Sequence, residues 1–153
     1  QFKSQTTSQM KLLIAGRMGW RTSAVTEAYK HSKYKADITF LGYVADEQLP
    51  LLMGSAFALT YVSLFEGFGV PLLEAMHAEV PIITSNVSSM PEVVGEAALL
   101  VDPDSVNEIS VAMQQIYEDA QLRSKLVEKG KSQRNQFSWD AATDALEHCI
   151  EMI

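Results

Sequence analysis

Short apolar runs alternate with stretches of helical periodicity along this 153-residue chain. Lys11–Ala15 (KLLIA) ends at Gly16 and Ile38–Leu41 (ITFL) ends at Gly42, and Ala56–Val62, Val80–Thr84 and Ala97–Val101 follow. None alternates cleanly between polar and apolar, which predicts strands covered on both faces, as in a parallel sheet. Helices are predicted between them at about Thr22–Lys30, Asp46–Met53, Pro71–Ala78 and Met90–Val94.

Beyond the last of these strands the pattern is helical. Ser105 and Glu108 form an S-x-x-E capping box, and Ile109, Ala112, Met113 and Ile116 then trace one apolar face. Gln121–Lys129 carries Leu122, Leu126 and Val127, with Gly130 as the expected stop. Ser138 is expected to cap a last helix whose inner face is Trp139, Ala142, Leu146 and Ile150. No internal repeat or low-complexity linker interrupts the pattern. It predicts one α/β domain, a Rossmann-like doubly wound parallel sheet with a helical C-terminal tail.

In such folds a ligand sits at the carboxyl ends of the strands. Gly16, Gly19, Gly42, Gly67 and Gly69 all fall in post-strand segments. Tight turning explains any one of them, whereas their joint placement along one rim points to a ligand. The richest segment is YVSLFEGFGVPLLEAM, residues 61–76, where Glu66 and Glu74 flank a Gly-Phe-Gly turn. Pro71 fits the first turn of a helix, which leaves Gly67–Val70 as an approach loop. N–H groups pointing out of that helix start can seat a diphosphate or a sugar hydroxyl. Glu74 lies about one turn into the helix and Glu66 in the loop before it, so the two address different parts of an extended ligand. Each also has a plain structural explanation. A first-turn Glu is favoured by the helix dipole, and Glu66 can be solvated loop.

Composition narrows the partners. With 47% hydrophobic and 20% charged residues the chain is ordinarily globular. Its net charge of −7 argues against a nucleic-acid partner, which needs a basic face. The single cysteine, Cys149, excludes an internal disulfide and fits a reducing, cytoplasmic compartment. No apolar run approaches the roughly 20 residues of a membrane span, and the polar start QFKSQTTSQM lacks a signal-peptide core. No His/Cys cluster argues for a metal, and neither a metal nor a cofactor is expected. His31 and His148 sit on helical patterns and are expected to be exposed, and His77 follows the motif helix.

EGFGVPLLE is an E-x7-E run that resembles the signature of the retaining GT-B glycosyltransferases of group 1 type. LLIAGRMGW, ITFLGYVADEQLPLLMGSA, VPIITSNVSSMPEVVGEAALLVDP and the late FSW resemble, in order, successive blocks of that family's C-terminal donor-binding domain. The resemblance covers nearly the whole chain from Lys11. It implies that Glu74 binds the nucleotide ribose hydroxyls. Glu66 would lie beside the donor sugar hydroxyls as the candidate catalytic carboxylate, joined by backbone groups of Gly67, Phe68, Gly69 and Val70. Two carboxylate oxygens suit a vicinal diol. Gly42–Asp46 resembles the loop touching the nucleobase, with Val44 and Asp46 as candidate contacts. Asp46 either accepts from a guanine edge or caps a Glu47–Met53 helix, and the cap is the preferred reading. Gly16 and Arg17 match the loop facing the phosphates, although a lone Arg after a strand also reads as surface.

Departures from the family pattern matter as well. Its C-terminal domain normally opens with a further strand and helix whose loop gives an Arg and a Lys to the diphosphate. Gln1-Phe2-Lys3 resembles the end of that helix. Residues 1–153 are therefore expected to be a single, N-terminally truncated donor-binding domain without its acceptor-binding, histidine-bearing partner, and inactive alone. A missing strand would leave a sheet edge through which a homodimer can form. Glu79 stands where the family usually has a glycine before Val80-Pro81. A left-handed conformation there would cost roughly 1 kcal/mol or more.

The expected function is donor binding in a retaining hexosyltransferase, mannosyl- or glucosyl-, acting on a glycan or lipid acceptor with a nucleotide diphosphate sugar as substrate. The alternative is a non-catalytic nucleotide-sugar-binding module. An NAD-dependent dehydrogenase fits the fold class only, since GRMG follows the first strand in place of G-x-G-x-x-G.

Overall fold

A computed structural model describes residues 1–17, 19 and 23–152. The chain forms two compact units, residues 1–52 and 53–153.

In the first unit, α1 (Phe2–Gln5) is followed by β1 (Leu12–Ala15), α2 (Ser23–His31) and β2 (Ile38–Gly42). Position 22, the expected start of α2, lies outside the described residues. β1 and β2 pair in parallel from Leu12↔Ile38 to Ile14↔Phe40, and a register shift then sets Ala15 opposite Gly42. Tyr29 of α2 meets Phe40 of β2 edge-on, with ring centroids 5.2 Å apart. Lys3 fastens α1 by donating to the carbonyls of Ser8 (2.7 Å) and Met10 (3.0 Å) and pairing with Asp37 at 2.8 Å.

The helix after β2 starts later than its pattern predicts. α3 is Leu49–Gly54, and the N–H groups of Gln48 and Leu49 both close on the Ala45 carbonyl at 2.9 and 3.0 Å. Asp46 therefore lies in a turn and caps no helix. Pro50 explains the delay. Lacking an N–H, it belongs in a first turn and would break a helix begun at Glu47.

The second unit carries β3 (Leu59–Tyr61), α4 (Val70–His77), β4 (Ile82–Ser85), α5 (Met90–Val94), β5 (Ala98–Val101), α6 (Val106–Glu118), α7 (Ala120–Gln133) and α8 (Trp139–Glu151). Its strands form a parallel sheet in the order β3-β4-β5. Every residue of β4 is buried. Ile82 packs with Leu72, Met76, Met90 and Val94, while Ile83 packs with Val101, Ala112, Ile116 and Leu126. Helices thus cover both faces, which is why this strand reads as a continuous apolar run.

Three helix ends sharpen or correct the sequence reading. The N–H of Glu108 donates to Ser105 Oγ at 3.2 Å as expected, but the Glu108 carboxylate accepts from the Asp102 N–H at 2.9 Å instead of returning to Ser105. α7 does not stop at Gly130, which lies buried inside it. A Cβ there would stand 3.4 Å from Met76 Cγ, so this glycine serves the close approach of α7 to α4. Glu79 is left-handed (φ 58°), and the N–H groups of Ala78 and Val80 close the end of α4 on the carbonyls of Glu74 and Ala75, each at 2.9 Å.

The last helix is also corrected. Ser138 caps α8 by accepting from the Ala141 N–H at 3.1 Å, but the expected inner face is uncovered, with Trp139 89% exposed. Periodicity supplies a helix and an apolar stripe without supplying something to cover it. His31, His77 and His148 are all exposed.

Candidate functional site

β3 ends at Tyr61, opposite Thr84 of β4. The fully buried hydroxyls of Thr84 and Ser85 donate to the carbonyls of Tyr61 (2.7 Å) and Ser63, fixing the backbone at the carboxyl end of the strand. From that fixed backbone two side chains converge on one atom. Tyr61 Oη donates to Glu66 Oε1 at 2.6 Å and Ser63 Oγ donates to the same oxygen at 2.9 Å. Among the described residues Glu66 Oε2 has no hydrogen-bond partner. The carboxylate is half-buried, with one oxygen anchored and the other open.

The loop after β4 holds the Glu66 backbone. Ser88 Oγ accepts from the Glu66 N–H (3.2 Å) and donates to its carbonyl (2.8 Å). Ser89 sits at the N-cap of α5 but makes no cap. Its hydroxyl faces the carbonyls of Glu66 (3.1 Å) and Phe68 (3.0 Å) instead.

Burial first, and then the hydrogen bond to Glu66, raise the Tyr61 phenol above its ordinary value. The negative charges of Glu66 and Glu74 add to the shift, so both motif carboxylates act on this hydroxyl. At neutral pH Tyr61 is therefore a donor.

The Gly-Phe-Gly turn comes next. Gly67 is exposed, and Phe68 meets Phe137 edge-on with centroids 5.6 Å apart. Gly69 is left-handed (φ 96°) and forms the N-cap of α4, and a Cβ there would meet Leu72 Cδ1 at 3.1 Å. Val70 is exposed and already belongs to the helix, with Pro71 in its first turn, so the approach loop is one residue shorter than expected. No side chain caps this helix start. Glu74, half-buried, stands one turn further on.

The first unit brings its own candidates together. The Gly16 N–H donates to the Gly42 carbonyl at 2.8 Å, joining the turns after β1 and β2. The exposed Arg17 guanidinium lies over the Tyr43 ring, 5.2 Å from its centroid. Val44 is half-buried and Asp46 exposed. Among the described residues no helix is long and apolar enough to cross a membrane, and no group of His, Cys, Asp and Glu is placed to hold a metal.

Sequence reasoning missed Tyr61, Ser63, Ser88 and Ser89. Ser63 carried a faint signal, standing three residues before Glu66. Nothing local to the Ser88-Ser89 pair reveals that its hydroxyls reach 21 to 23 residues back.

Residues 1–133 match the sequence model of the family described as Glycosyl transferases group 1. The chain belongs to this family. The group 1 transferase chain is 40% identical over 139 residues to O-antigen chain mannosyltransferase B of Escherichia coli, covering 91% of this chain and 36% of that protein. It thus spans about a third of that relative's length. Among solved structures it resembles Anabaena HepE in complex with UDP, with a TM-score of 0.85 at 20% identity over 99% of this chain and 43% of that one. It also resembles the C-terminal domain of a glycosyl transferase group 1 family protein (LpcC) from Francisella tularensis, with a TM-score of 0.68 at 21% identity over 88% of this chain and 90% of that one. The fold is the Rossmann-like C-terminal half of a GT-B glycosyltransferase.

Proposed function

We propose that this chain is the donor-binding part of a retaining glycosyltransferase that moves a hexose, mannose foremost, from a nucleotide diphosphate sugar to a glycan or lipid acceptor. The observation that carries the reading is the Glu66 carboxylate, anchored through Oε1 and open at Oε2, one glycine turn ahead of an uncapped helix start. An open carboxylate oxygen accepts from a sugar hydroxyl, and the helix start attracts phosphate charge. Glu74 would take the ribose diol. Mannose is favoured by the name of the Escherichia coli relative, and a nucleoside diphosphate by the ligand of HepE.

In the reaction the bond from the sugar's anomeric carbon to the leaving diphosphate breaks, and a bond to the acceptor oxygen forms on the same face. The acceptor proton passes to the departing phosphate oxygen. N–H groups of Gly67–Val70 and the α4 dipole would stabilise the charge that develops there. Gly16, Arg17, Val44 and Asp46 are a separate candidate set for phosphate and base, tested by Arg17→Ala.

The test is calorimetric titration of GDP-mannose, UDP-glucose and ADP-glucose into the full-length protein, beside Glu74→Ala. Loss of a ribose contact should weaken nucleotide and nucleotide sugar alike by about tenfold or more. Unchanged affinity would show that Glu74 does not hold the ribose.

A further inference from the structure

The geometry points to Tyr61, seconded by Ser63, as a positioning residue that fixes the direction in which the Glu66 carboxylate presents its open oxygen to the donor sugar. This rests on the donor-site reading of Glu66 and adds to it the device that aims the carboxylate. A free Glu side chain rotates about three bonds and offers either oxygen. Here Tyr61 Oη at 2.6 Å and Ser63 Oγ at 2.9 Å both engage Oε1. Two donors arriving from the strand side leave Oε2 as the oxygen able to accept from a ligand.

The anchors are themselves held. Thr84 and Ser85, both fully buried, bond the carbonyls of Tyr61 and Ser63, so the backbone from which both hydroxyls reach Glu66 is fixed. Ser88 fixes the backbone of Glu66 in both directions. The carboxylate is thus held at one oxygen by two hydroxyls, and the backbone on both sides of that contact is held by named bonds. Pre-organisation of this kind is spent on the sugar and not on the nucleotide, because it acts on Glu66 alone.

Binding discriminates this role from a merely structural one. The probes are GDP-mannose with GDP, and UDP-glucose with UDP, titrated into the full-length protein. Tyr61→Phe should weaken the nucleotide sugar about tenfold while leaving the matching nucleoside diphosphate unchanged. Ser63→Ala should act in the same direction with smaller effect, and it keeps the question answerable should the Tyr61 variant misfold. In a Glu66→Gln background the Tyr61→Phe effect should shrink, since Tyr61 acts through the carboxylate.

Equal weakening of sugar nucleotide and diphosphate, no weakening at all, or full additivity with Glu66→Gln would each overturn the positioning role. Should Glu66→Gln itself leave sugar-nucleotide affinity untouched, the donor-site reading of Glu66 fails, and the inference with it. Should Glu66→Gln act while Tyr61→Phe and Ser63→Ala do not, only the inference fails.

Discussion

Ser88 grips Glu66 from both sides of one peptide unit pair, accepting from its N–H at 3.2 Å and donating to its carbonyl at 2.8 Å. It does so from a left-handed backbone (φ 57°) that a non-glycine residue adopts at a cost of about 1–2 kcal/mol. The strain and the grip belong together, because this conformation delivers the hydroxyl to the loop.

Ser88→Ala keeps the strain and loses both bonds, so it should destabilise the protein by about 1–2 kcal/mol. Ser88→Gly loses the same bonds but relieves the backbone, and should cost clearly less. Urea unfolding of the two variants side by side checks this. An alanine variant as stable as the glycine one would contradict the account.

Glu79→Gly should stabilise the protein by roughly 1 kcal/mol, the strain of a left-handed Glu. Its 3.2 Å pairing joins an exposed Glu79 to a half-buried Lys131 at the surface and offsets little of that gain. Thermal unfolding should show a rise of a few degrees. A lower midpoint would mean that the ion pair outweighs the backbone.

Gly69→Ala should be damaging in two ways. A left-handed φ of 96° resists any side chain, and the added methyl would press on Leu72 Cδ1 at 3.1 Å in a core where Leu72 is fully buried. We expect a loss of about 1–3 kcal/mol in stability, together with weakened nucleotide-sugar binding, measured by denaturation and calorimetry. Retention of both at the wild-type level would argue against a built turn.

Tyr61 predicts a pH response. Its folded value lies above the ordinary 10.0, so the stabilising contribution of its neutral form is present below about pH 10 and fades as pH rises through the folded value. Carbon-labelled tyrosine NMR should place its midpoint above 10.0. Glu66→Gln should lower that midpoint only in part, because burial is the larger cause. A midpoint at or below the ordinary value would remove the basis for the Tyr61–Glu66 bond.

The alternation of apolar runs and helical stretches carried the parallel sheet, because β4 is buried on both faces and shows it locally. The glycine turn was legible too, since Gly69 is left-handed and Pro71 sits in the first turn of α4. The left-handed Glu79 followed from the resemblance, which places a glycine at that position. What stayed hidden depends on partners distant in sequence. Gly130 looks like a stop until Met76 is seen against it, and Trp139 looks like core until nothing is found to cover it. Ser88 and Ser89 show no role locally because their acceptors belong to another loop.

Arg134 donates to the Met76 and His77 carbonyls at 3.0 and 3.2 Å, and Phe137 lies edge-on to Phe68. Both residues fall just past position 133, where the family match ends. A piece cut at that boundary would keep the motif letter for letter, yet lose the cation that closes its helix and the ring that steadies its turn. The structural limit of the motif is therefore set by residue 137, and shuffling or trimming of such domains should respect the clasp and not the alignment.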